Sequence, residues 1–568
     1  MRSNQASAVT IVRPRRWLPD AEVVALAAVL TVLVVLVVVP VALLVWRSLT
    51  PGGSVSLDAY RVAFAGVSLA SLTMTTVAFA VGASLLGLGF GTALAVALVG
   101  TDLPGRRIVL VLALSPLLLP GVLQTIAWIF LAAPQSGALS GIPGMPSIFG
   151  LGGMIFVEGI RLAPIALLLV GAALRAGDPA LEEAALMAGA GRASVLRRVT
   201  LPLLRPALLA TAVLLAIRAL GSFEVPALLG MPDRTWVFTS RIWLSLGEGD
   251  EGLSGAAAAS VPLLCLTALG SLALLALLRR PRAREVVSGR GYRRTPMELR
   301  RWRLPVLVGV WAYVVVAVVL PLLALVWMST QPYLTPVTRE SLARAGLEAY
   351  SAVFDDALIG TALRNSVVDS SIAALLACGL ALVIGWIALR GQTRGRALPD
   401  ALAFLPIAIP GLVLGVALLG VFVRAPIALY GTAAALVLGY LARYLPYASR
   451  FAGGGLARVG RDLEDAARVS GVGWWPMISR IVLPLALASL VAAWLAVFAV
   501  ALTDVSLSLV LYAPGSEVLG VRIWSLYQGG AWNELAALGV VISAVTLVLG
   551  LAALALGRTS LRGFRALG

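Results

Sequence analysis

The chain has 568 residues, of which 60% are hydrophobic and 12% are charged, with a formal net charge of +17. Ordinary soluble domains are about 45–50% apolar and about 25% charged, so this composition excludes a soluble globular enzyme and indicates a polytopic membrane protein. All of the positive charge comes from Arg, because the sequence contains neither Lys nor His. Cys265 and Cys378 lie in separate apolar runs, so we expect no disulfide or metal framework.

Twelve apolar runs are long enough to cross a bilayer, which takes about 20 helical residues. The first exceeds a signal-peptide core and has no small-residue cleavage site directly after it, so we interpret it as a retained span. We therefore predict an all-α membrane protein with about 12 transmembrane helices: a first half (1–278), an Arg-rich link (279–303) and a second half (304–568). The predicted spans are 22–46, 70–98, 107–133, 151–174, 205–229, 257–278, 304–328, 366–389, 399–423, 428–450, 484–512 and 536–557.

Arginine clusters occur at the start of the chain, around 106–107, in the link with its ten Arg, at 390–396 and in the tail. If twelve helices alternate, all of these clusters fall on one side, which the positive-inside rule makes cytoplasmic. We therefore expect a multi-pass membrane protein with both termini in the cytoplasm. A basic chain also raises nucleic acid as a partner, but Arg in short segments between apolar runs favours membrane orientation, with lipid and not nucleic acid as the partner.

Two polar loops share one pattern at a spacing of 282 residues, one from Glu183 to Pro202 and the other from Asp465 to Pro484. Each follows the fourth span of its half. Shorter repeats at 116–121 and 406–411, and at 241–243 and 522–524, extend the duplication. Because each copy has an even number of helices before it, we expect parallel halves related by a pseudo-twofold axis along the membrane normal.

The residues of the first loop predict two short helices joined at a glycine. Asp178 is placed to cap the first helix, and Gly189 permits a turn with positive φ. A second short helix then ends at Leu201-Pro202. An exposed acid beside two alanines is typical of a docking element that lets another protein approach the backbone. A connector lying on the membrane surface is the alternative, and two copies with matched spacing favour docking.

The pattern Glu-Ala-Ala, three residues, Gly, nine residues, an aliphatic residue, one residue and Leu-Pro resembles the EAA loop of permease subunits of binding-protein-dependent ABC importers. The resemblance covers roughly 70–277 and 362–556. It implies a type I ABC importer permease fold in a prokaryotic plasma membrane. It also implies two cytoplasmic ABC ATPase subunits as partners, and a periplasmic or lipoprotein solute-binding protein. The coupling residues that it implies are Glu183, Ala184, Ala185 and Gly189 in the first loop, and Asp465, Ala466, Ala467 and Gly471 in the second.

ATP hydrolysis belongs to other chains on this interpretation. A phosphate-binding loop needs Gly-x4-Gly-Lys-Ser/Thr, and a chain without Lys has none. We therefore expect no catalytic residue, no metal site and no cofactor on this chain, with ATP and Mg held by the partner ATPase.

Ionisable residues inside the spans are costly and face a cavity or a partner, which makes them functional candidates. A polar translocation path between the halves is one interpretation, and structural ion pairs or charges at helix ends are the other. The candidates are Glu158, Arg161, Arg218, Glu224, Arg443 and Asp504.

Three classes of function compete. An ATP-driven importer permease explains both loops, whereas a twelve-helix secondary transporter has no reason to carry them, and a membrane enzyme lacks His and clustered carboxylates. The fused halves and the stretch 502–514 are similar to iron(III)-importer permeases, so iron(III) is the expected substrate. Thiamine permeases share the fused layout, and polyamine, sulfate and aminophosphonate permeases belong to the same broader group.

Overall fold

The computed structural model describes residues 19–117, 119–144, 146–177, 180–248, 252–279, 297–424 and 428–563. Within these ranges the chain is helical without named strands, and its one β-bridge joins Thr101 to Met297. The predicted all-α membrane fold is therefore confirmed. The predicted cap Asp178 and most of the Arg-rich link lie outside the described residues.

The helices of the first half begin with α1 and end with α12. They are α1 (Pro19–Leu33), α2 (Val39–Leu49), α3 (Asp58–Ala63), α4 (Leu69–Gly100), α5 (Arg106–Leu114), α6 (Gly121–Ala132), α7 (Leu151–Ala176), α8 (Ala180–Met187), α9 (Arg192–Val195), α10 (Leu201–Leu220), α11 (Phe238–Leu246) and α12 (Gly252–Arg279).

The helices of the second half follow this order with two additional short helices. They are α13 (Arg303–Val314), α14 (Leu320–Ser329), α15 (Arg339–Ala343), α16 (Glu348–Asp355), α17 (Ala357–Arg390), α18 (Leu398–Phe404), α19 (Gly411–Phe422), α20 (Ala433–Arg458), α21 (Arg461–Val469), α22 (Trp474–Met477), α23 (Leu483–Leu502), α24 (Ser508–Leu511), α25 (Leu519–Gln528) and α26 (Trp532–Gly563).

Eight continuous helical segments in the described part of the chain are long and apolar enough to cross a membrane. They coincide with eight of the twelve predicted spans. The predicted third and ninth spans are instead bent pairs of helical segments: Arg106–Leu117 and Gly121–Ala132 meet at 97°, and Leu398–Ala408 and Gly411–Phe422 meet at 110°. Each break falls at the repeated Pro-x3-Pro-Gly sequence, because Pro removes a backbone donor and clashes with the preceding turn. The tenth span, α20, is helical but less apolar, and α26 contributes an apolar stretch at Trp532–Val548.

Four wide π-helical turns lie inside the spans, and each ends two residues before a proline. A proline ring clashes with the carbonyl four residues earlier, and a π turn moves that carbonyl away while the helix continues. The turns lie at equivalent places in the two halves. They are Val34–Val38 before Pro40, Leu196–Thr200 before Pro202, Val315–Val319 before Pro321, and Ile478–Val482 before Pro484.

The residues divide into two compact units, each drawing helices from both sequence halves. The smaller unit comprises 1–39, 368–407 and 440–501, and the larger comprises 40–367, 408–439 and 502–568. In the smaller unit α1 packs on α18, and in the larger unit α13 packs on α4 and α5. The first helix of each half thus contacts helices of the other half. The domain boundaries drawn from the duplication are a division of the sequence, and they stay a prediction.

In each unit, one carboxylate forms hydrogen bonds across this contact between the two sequence halves. In the smaller unit, Glu22 accepts hydrogen bonds from the backbone amides of Gln392 (2.8 Å) and Thr393 (2.9 Å). In the larger unit, Asp102 accepts from the amide of Leu299 (2.9 Å) and from Arg303 (2.6 Å). These donors hold the pKa of the Asp102 carboxyl below its usual range, with the Leu299 amide contributing most.

Glycines bring α4 and α7 into close contact in the larger unit. A Cβ atom on Gly87 would lie 2.9 Å from the carbonyl oxygen of Gly159, and one on Gly91 would lie 2.5 Å from that of Ala163. A Cβ atom on Gly89, between them in sequence, would meet nothing within 4 Å. Small residues at every fourth position let helix backbones approach in this way.

Candidate coupling loops and translocation path

The first repeated loop is two helices joined by a left-handed glycine. Gly189 has φ +84° and follows α8. The amide of Ala190 donates to the carbonyl of Ala185 (3.0 Å), and the amide of Gly189 donates to that of Leu186 (3.0 Å). This pair of bonds is the Schellman motif, which satisfies carbonyls left free at a helix end.

The second loop closes in the same way. Gly471 has φ +75° after α21, and the amide of Val472 donates to the carbonyl of Ala467 (3.0 Å). The second alanine of the motif therefore supplies the carbonyl that the turn uses, in both copies. The turn predicted at Gly189 is present, whereas the contact of these residues with an ATPase stays a prediction.

Both loops expose an apolar side chain at the end of the first helix. Met187 is 90% exposed and Val469, its counterpart 282 residues on, is 86% exposed. Leu181 and Leu463, one turn and a half earlier, are each 50% exposed. A shallow hollow beside Glu183 and Ala184 adjoins Met187 in the first loop. Each helix thus exposes apolar side chains, and Met187 and Val469 lie four residues, about one turn, beyond the predicted acids Glu183 and Asp465.

The acidic residue immediately before the Glu-Ala-Ala or Asp-Ala-Ala sequence of each loop contacts the residues behind the loop. Glu464 is buried, and its Oε1 lies 2.8 Å from Nε of Arg390, at the end of α17. Its counterpart Glu182 is half-buried and accepts a hydrogen bond from Thr200 (2.7 Å). Asp465, next to Glu464, is exposed. Sequence reasoning missed Glu182 and Glu464, although the recurrence of an acid at both positions was a signal.

The first loop is also tied to the end of the Arg-rich link. Arg192, which opens α9, lies 3.2 Å from Oε2 of Glu298 and also donates to the backbone carbonyl of that residue. Hydrogen bonds from Arg192 and then Arg300 hold the pKa of the Glu298 carboxyl below its usual range. The two loops therefore have different anchors in otherwise matching folds.

The second helix of each loop does not end at the Leu-Pro pair, and the expectation that it ends there was wrong. In the first copy α9, the π turn at Leu196–Thr200 and α10 form one continuous helix over Arg192–Leu220. Pro202 lies in the first turn of α10, where the π turn before it absorbs the ring. In the second copy a π turn joins α22 to α23 in the same way.

Glu158 and Arg161 form the tightest charged cluster among the candidate path residues. Glu158 is fully buried on α7, and its Oε2 lies 2.7 Å from Nη2 of Arg161. Ser222, just after α10, donates to the same carboxylate (3.1 Å) and accepts from Arg161 (3.2 Å). Gly121 leaves room for the arginine, because a Cβ atom there would lie 2.4 Å from Nη1. The predicted pairing of Glu158 with Arg161 is present.

The remaining candidates are more scattered. Glu224 is half-buried and adds a coulombic interaction with Arg161, whereas Arg218 has an exposed side chain. Arg443 belongs to the smaller unit, where its guanidinium lies 5.5 Å from the ring centroid of Tyr444. Whether any of the candidates contacts substrate stays a prediction.

Asp504 has a local structural role in the described residues. Its Oδ1 accepts hydrogen bonds from the amides of Leu507 (2.9 Å) and Ser508 (3.2 Å), at the start of α24. Its backbone carbonyl lies against Gly520, where a Cβ atom would come within 2.1 Å of it. Ser222 lies 282 residues earlier and holds α11 through its own carbonyl, which accepts from Thr239 (2.9 Å). Ser222 is therefore the counterpart of Asp504.

An aromatic cluster joins the two Arg-Ile-Trp repeats, and sequence reasoning gave it no role. Trp243 on α11 and Trp524 on α25 meet edge to face with ring centroids 5.8 Å apart. Phe223 packs on both, at 5.5 Å and 5.4 Å. The arginine of each repeat anchors its short helix: Arg241 donates to the carbonyl of Val62 (3.2 Å), and Arg522 pairs with Asp356. Phe223 adjoins Ser222, so the cluster lies directly beside the buried ion pair.

Several known proteins are similar in sequence to this chain. A putative ferric transport system permease of Haemophilus influenzae is 25% identical over 65% of this chain and 58% of its own length. A ferric transport system permease of Actinobacillus pleuropneumoniae is 24% identical over 71% and 58%. A probable ABC transporter permease of Sinorhizobium fredii is 28% identical over 74% and 75%. The chain thus spans less than two thirds of the length of both ferric relatives.

A family model described as the inner membrane component of binding-protein-dependent transport systems matches the chain twice, at 87–283 and at 377–565. Each match contains one of the repeated loops, which confirms the internal duplication. Together the matches cover more than half of the sequence. The chain therefore belongs to the family of binding-protein-dependent transport system inner membrane components, with two copies of the family domain fused in one polypeptide.

Proposed function

We propose that this chain is the membrane-spanning permease subunit of an ATP-driven ABC importer, with its two loops docked on two cytoplasmic ABC ATPase subunits. The observation that carries the proposal is the matched pair of exposed helices α8 and α21. Each ends at a left-handed glycine, after which the next amide donates to the carbonyl of the second alanine, and each presents an exposed apolar residue, Met187 or Val469, at the same position. Large exposed apolar residues rimmed by polar ones mark protein interaction sites.

Coupling follows from the continuous helix behind the first loop. A displacement of the loop by the ATPase moves Arg192–Leu220 as one rigid element, because the π turn keeps the helix unbroken. Two residues beyond that helix, Ser222 bonds Glu158 and Arg161. A movement of the loop therefore reaches the buried ion pair and the aromatic cluster beside it. ATP and Mg belong to the partner ATPase, and this chain contributes no cofactor site to the cycle.

The distribution of arginine supports the orientation in this proposal. Both loops, both termini and the link lie in the cytoplasm, and a solute-binding protein delivers substrate on the opposite side. The short helices α11 and α25 lie on that opposite side. The Trp243–Trp524 contact then closes the path toward the binding protein, and an outward-facing state requires the two rings to separate.

Iron(III) is the substrate that we propose. Both ferric relatives match this chain over about two thirds of its length, and the fused arrangement of two halves agrees with the similarity to iron(III) permeases. The test is transport into proteoliposomes that contain the permease, its ATPase and the solute-binding protein encoded beside it. Uptake of iron(III) supports iron(III) as the substrate if a hundredfold excess of spermidine, thiamine, sulfate or aminophosphonate does not reduce it. Uptake of one of those solutes instead identifies an alternative substrate.

The docking proposal is tested by co-purification of the ATPase from membranes. Met187→Glu and Val469→Glu place a charge on exposed positions, so the permease should fold normally while the ATPase dissociates. Leu347→Glu is the matched control, since Leu347 is 70% exposed but lies far along the chain from either loop. Retention of the ATPase by the Met187→Glu, Val469→Glu double variant contradicts the assignment. Solute uptake that follows an ion gradient without any ATPase would favour a secondary transporter.

A further inference from the structure

A short helix precedes the second span of each half, and the two helices are held in the same way. The segments 57–64 and 347–354, which contain α3 and α16, share Leu, Ala, Tyr and Phe at equivalent positions. The hydroxyl group of Tyr60 forms a hydrogen bond with that of Ser48 (2.9 Å), and Tyr350 does the same with Ser329 (2.8 Å). Both serines are buried at the end of the first span of their half. α3 and α16 are therefore fixed to that span.

In the first half, α11 is attached to this framework at two points. The backbone amide of Phe238, at the start of α11, donates to Oγ1 of Thr76 on α4 (3.2 Å). Arg241 donates to the carbonyls of Val62 (3.2 Å) and Ala63 at the end of α3, where a helix leaves carbonyls without donors of its own. α11 is thus attached both to the second span of its half and to the short helix before that span.

In the second half, α25 is attached in the same two ways. The amide of Leu519, at the start of α25, donates to Oγ of Ser366 on α17 (2.7 Å). Arg522 pairs with Asp356, the residue that ends α16. Asp356 also accepts a hydrogen bond from the amide of Leu358, in the first turn of α17 (2.8 Å). The arginine therefore has the same place in both halves, although its acceptors are carbonyls in the first and a carboxylate in the second.

The arginine and the tryptophan of each Arg-Ile-Trp repeat lie on opposite sides of their helix, because they are two residues apart and a helix turns by about 100° per residue. In α11, Arg241 reaches α3 while Trp243 meets Trp524. Ser245, one turn beyond Arg241, is fully buried, and a Cβ atom on Gly255 of α12 would lie 3.5 Å from its Cβ. One side of α11 therefore packs on its own half, and another side forms the tryptophan contact.

We propose that Arg241 and Arg522 are positioning residues that make α11 and α25 move with the second span of their own half. The inference rests on the proposed function, in which the Trp243–Trp524 contact closes the path. The other charged partner of Arg241, Glu248 (3.4 Å), follows α11 directly and adds no attachment to another helix.

The length of these helices explains why the arginines matter. Helices of nine and ten residues are too short to be stable on their own. Without its arginine, such a helix can leave its half while its tryptophan stays against the other ring. A movement of the half then no longer separates the two rings, and ATP hydrolysis proceeds without transport.

Thiol labelling of the purified full chain in nanodiscs, without the ATPase, tests the attachment itself. Ser245→Cys places the probe, because the Ser245 hydroxyl is buried and has no hydrogen-bond partner in the described part of the chain. Cys265→Ala and Cys378→Ala remove the natural thiols. Arg241→Met should raise the rate of labelling by a maleimide about tenfold, through the loss of hydrogen bonds from a charged donor. Arg61→Met is the matched control, since Arg61 is an exposed arginine of α3 that pairs within its own helix.

Coupled transport tests the consequence, in proteoliposomes that also contain the ATPase and the solute-binding protein. Arg241→Met should transport about tenfold less iron(III) per ATP hydrolysed, while its rate of ATP hydrolysis stays near that of Arg61→Met. A chain that is only destabilised loses both activities together. Arg241→Lys keeps the charge without the paired donors, so it should give intermediate labelling and transport, and it serves if Arg241→Met does not fold.

Equal labelling rates in Arg241→Met and Arg61→Met overturn the proposal, and so does a parallel loss of ATP hydrolysis and transport. Failure of the proposed function gives a different result, because the wild type then shows no ATP-dependent uptake. The labelling comparison needs neither ATPase nor substrate, so it still decides whether Arg241 holds α11 in place.

Discussion

The stability of α21, the first helix of the second repeated loop, should depend on one buried ion pair, between Arg390 and Glu464. The two side chains are 9% and 3% exposed, and Nε lies 2.8 Å from Oε1. Nη2 of Arg390 also donates to the carbonyls of Val459 (2.7 Å) and Leu456 (3.3 Å), which lead into α21. One arginine at the end of α17 thus holds both the acid of the loop and the chain that enters it.

Breaking a buried pair by removing one partner typically costs about 3–5 kcal/mol. Glu464→Gln leaves Arg390 with two carbonyl acceptors and a neutral amide, so its cost should fall near the lower end of that range. Arg390→Met leaves a buried carboxylate and two carbonyls without their donor, so its cost should be larger. Replacing both residues by apolar ones removes every uncompensated charge, and the double variant should recover much of the loss.

Hydrogen exchange of the α21 amides measures this difference directly, because these amides exchange through local opening of the helix. A cost of about 3 kcal/mol corresponds to exchange roughly two orders of magnitude faster in Glu464→Gln. Asp465→Asn is the matched control, since Asp465 is adjacent but exposed. It should leave exchange within about 0.5 kcal/mol of the wild type while it weakens retention of the ATPase. Equal exchange rates in Glu464→Gln and Asp465→Asn would refute the reasoning. A smaller effect of Arg390→Met than of Glu464→Gln would refute it as well.

Three further predictions concern the fold and the loops. Gly91→Ala should destabilise the chain by about 1–3 kcal/mol, because its Cβ atom would press on the backbone of α7. Gly89→Ala should leave the thermal midpoint unchanged or raise it, and an equal loss in both variants contradicts the packing argument. Gly189→Ala should cost about 1–2 kcal/mol through its positive φ alone, whereas Gly191→Ala, where φ is −67°, should cost less in the same exchange assay. Hydrogen bonds from the link lower the pKa of Asp102. Its carboxylate therefore stabilises the contact of α13 with α4 and α5 at pH values above the usual pKa of a carboxyl group. That stabilisation is lost as the pH falls through the lower native pKa, so link amides should open more readily below about pH 4. Loss of the same size in Asp102→Asn would assign the effect to another group.

Local features were readable from the sequence where one residue type decides the conformation. The turn at Gly189 was predictable, because a helix followed by a left-handed residue favours glycine. The bends in the third and ninth spans follow from their repeated prolines, whereas the sequence does not reveal the π turns. Pro202 suggested a helix end, because proline usually interrupts a helix. The sequence alone does not show that the preceding turn widens to accommodate the proline ring.

Long-range placement was the part that the sequence did not reveal. The duplication predicted two parallel halves but not the contacts between them, in which α1 and α13 each pack on helices of the opposite half. Glu464 and Asp465 are adjacent acids of similar character, and only the position of Arg390 makes one buried and leaves the other exposed. Likewise, hydropathy cannot show that two short apolar helices bring Trp243 and Trp524 into contact.

The two repeated loops have the same order of helix, glycine turn and helix but different described anchors, and the difference follows from what lies behind each helix. In the second copy, Arg390 and Glu464 are buried together, so solvent and salt screen their attraction little. In the first copy, Glu182 is held by the neutral Thr200, and the charged anchor is the exposed pair of Arg192 and Glu298. An exposed pair is screened by salt and contributes little to stability. The two repeats therefore share the left-handed glycine turn and an exposed apolar residue at the end of the first helix, while the described contacts behind them differ, and in the first loop one of these contacts ties α9 to Glu298 of the link.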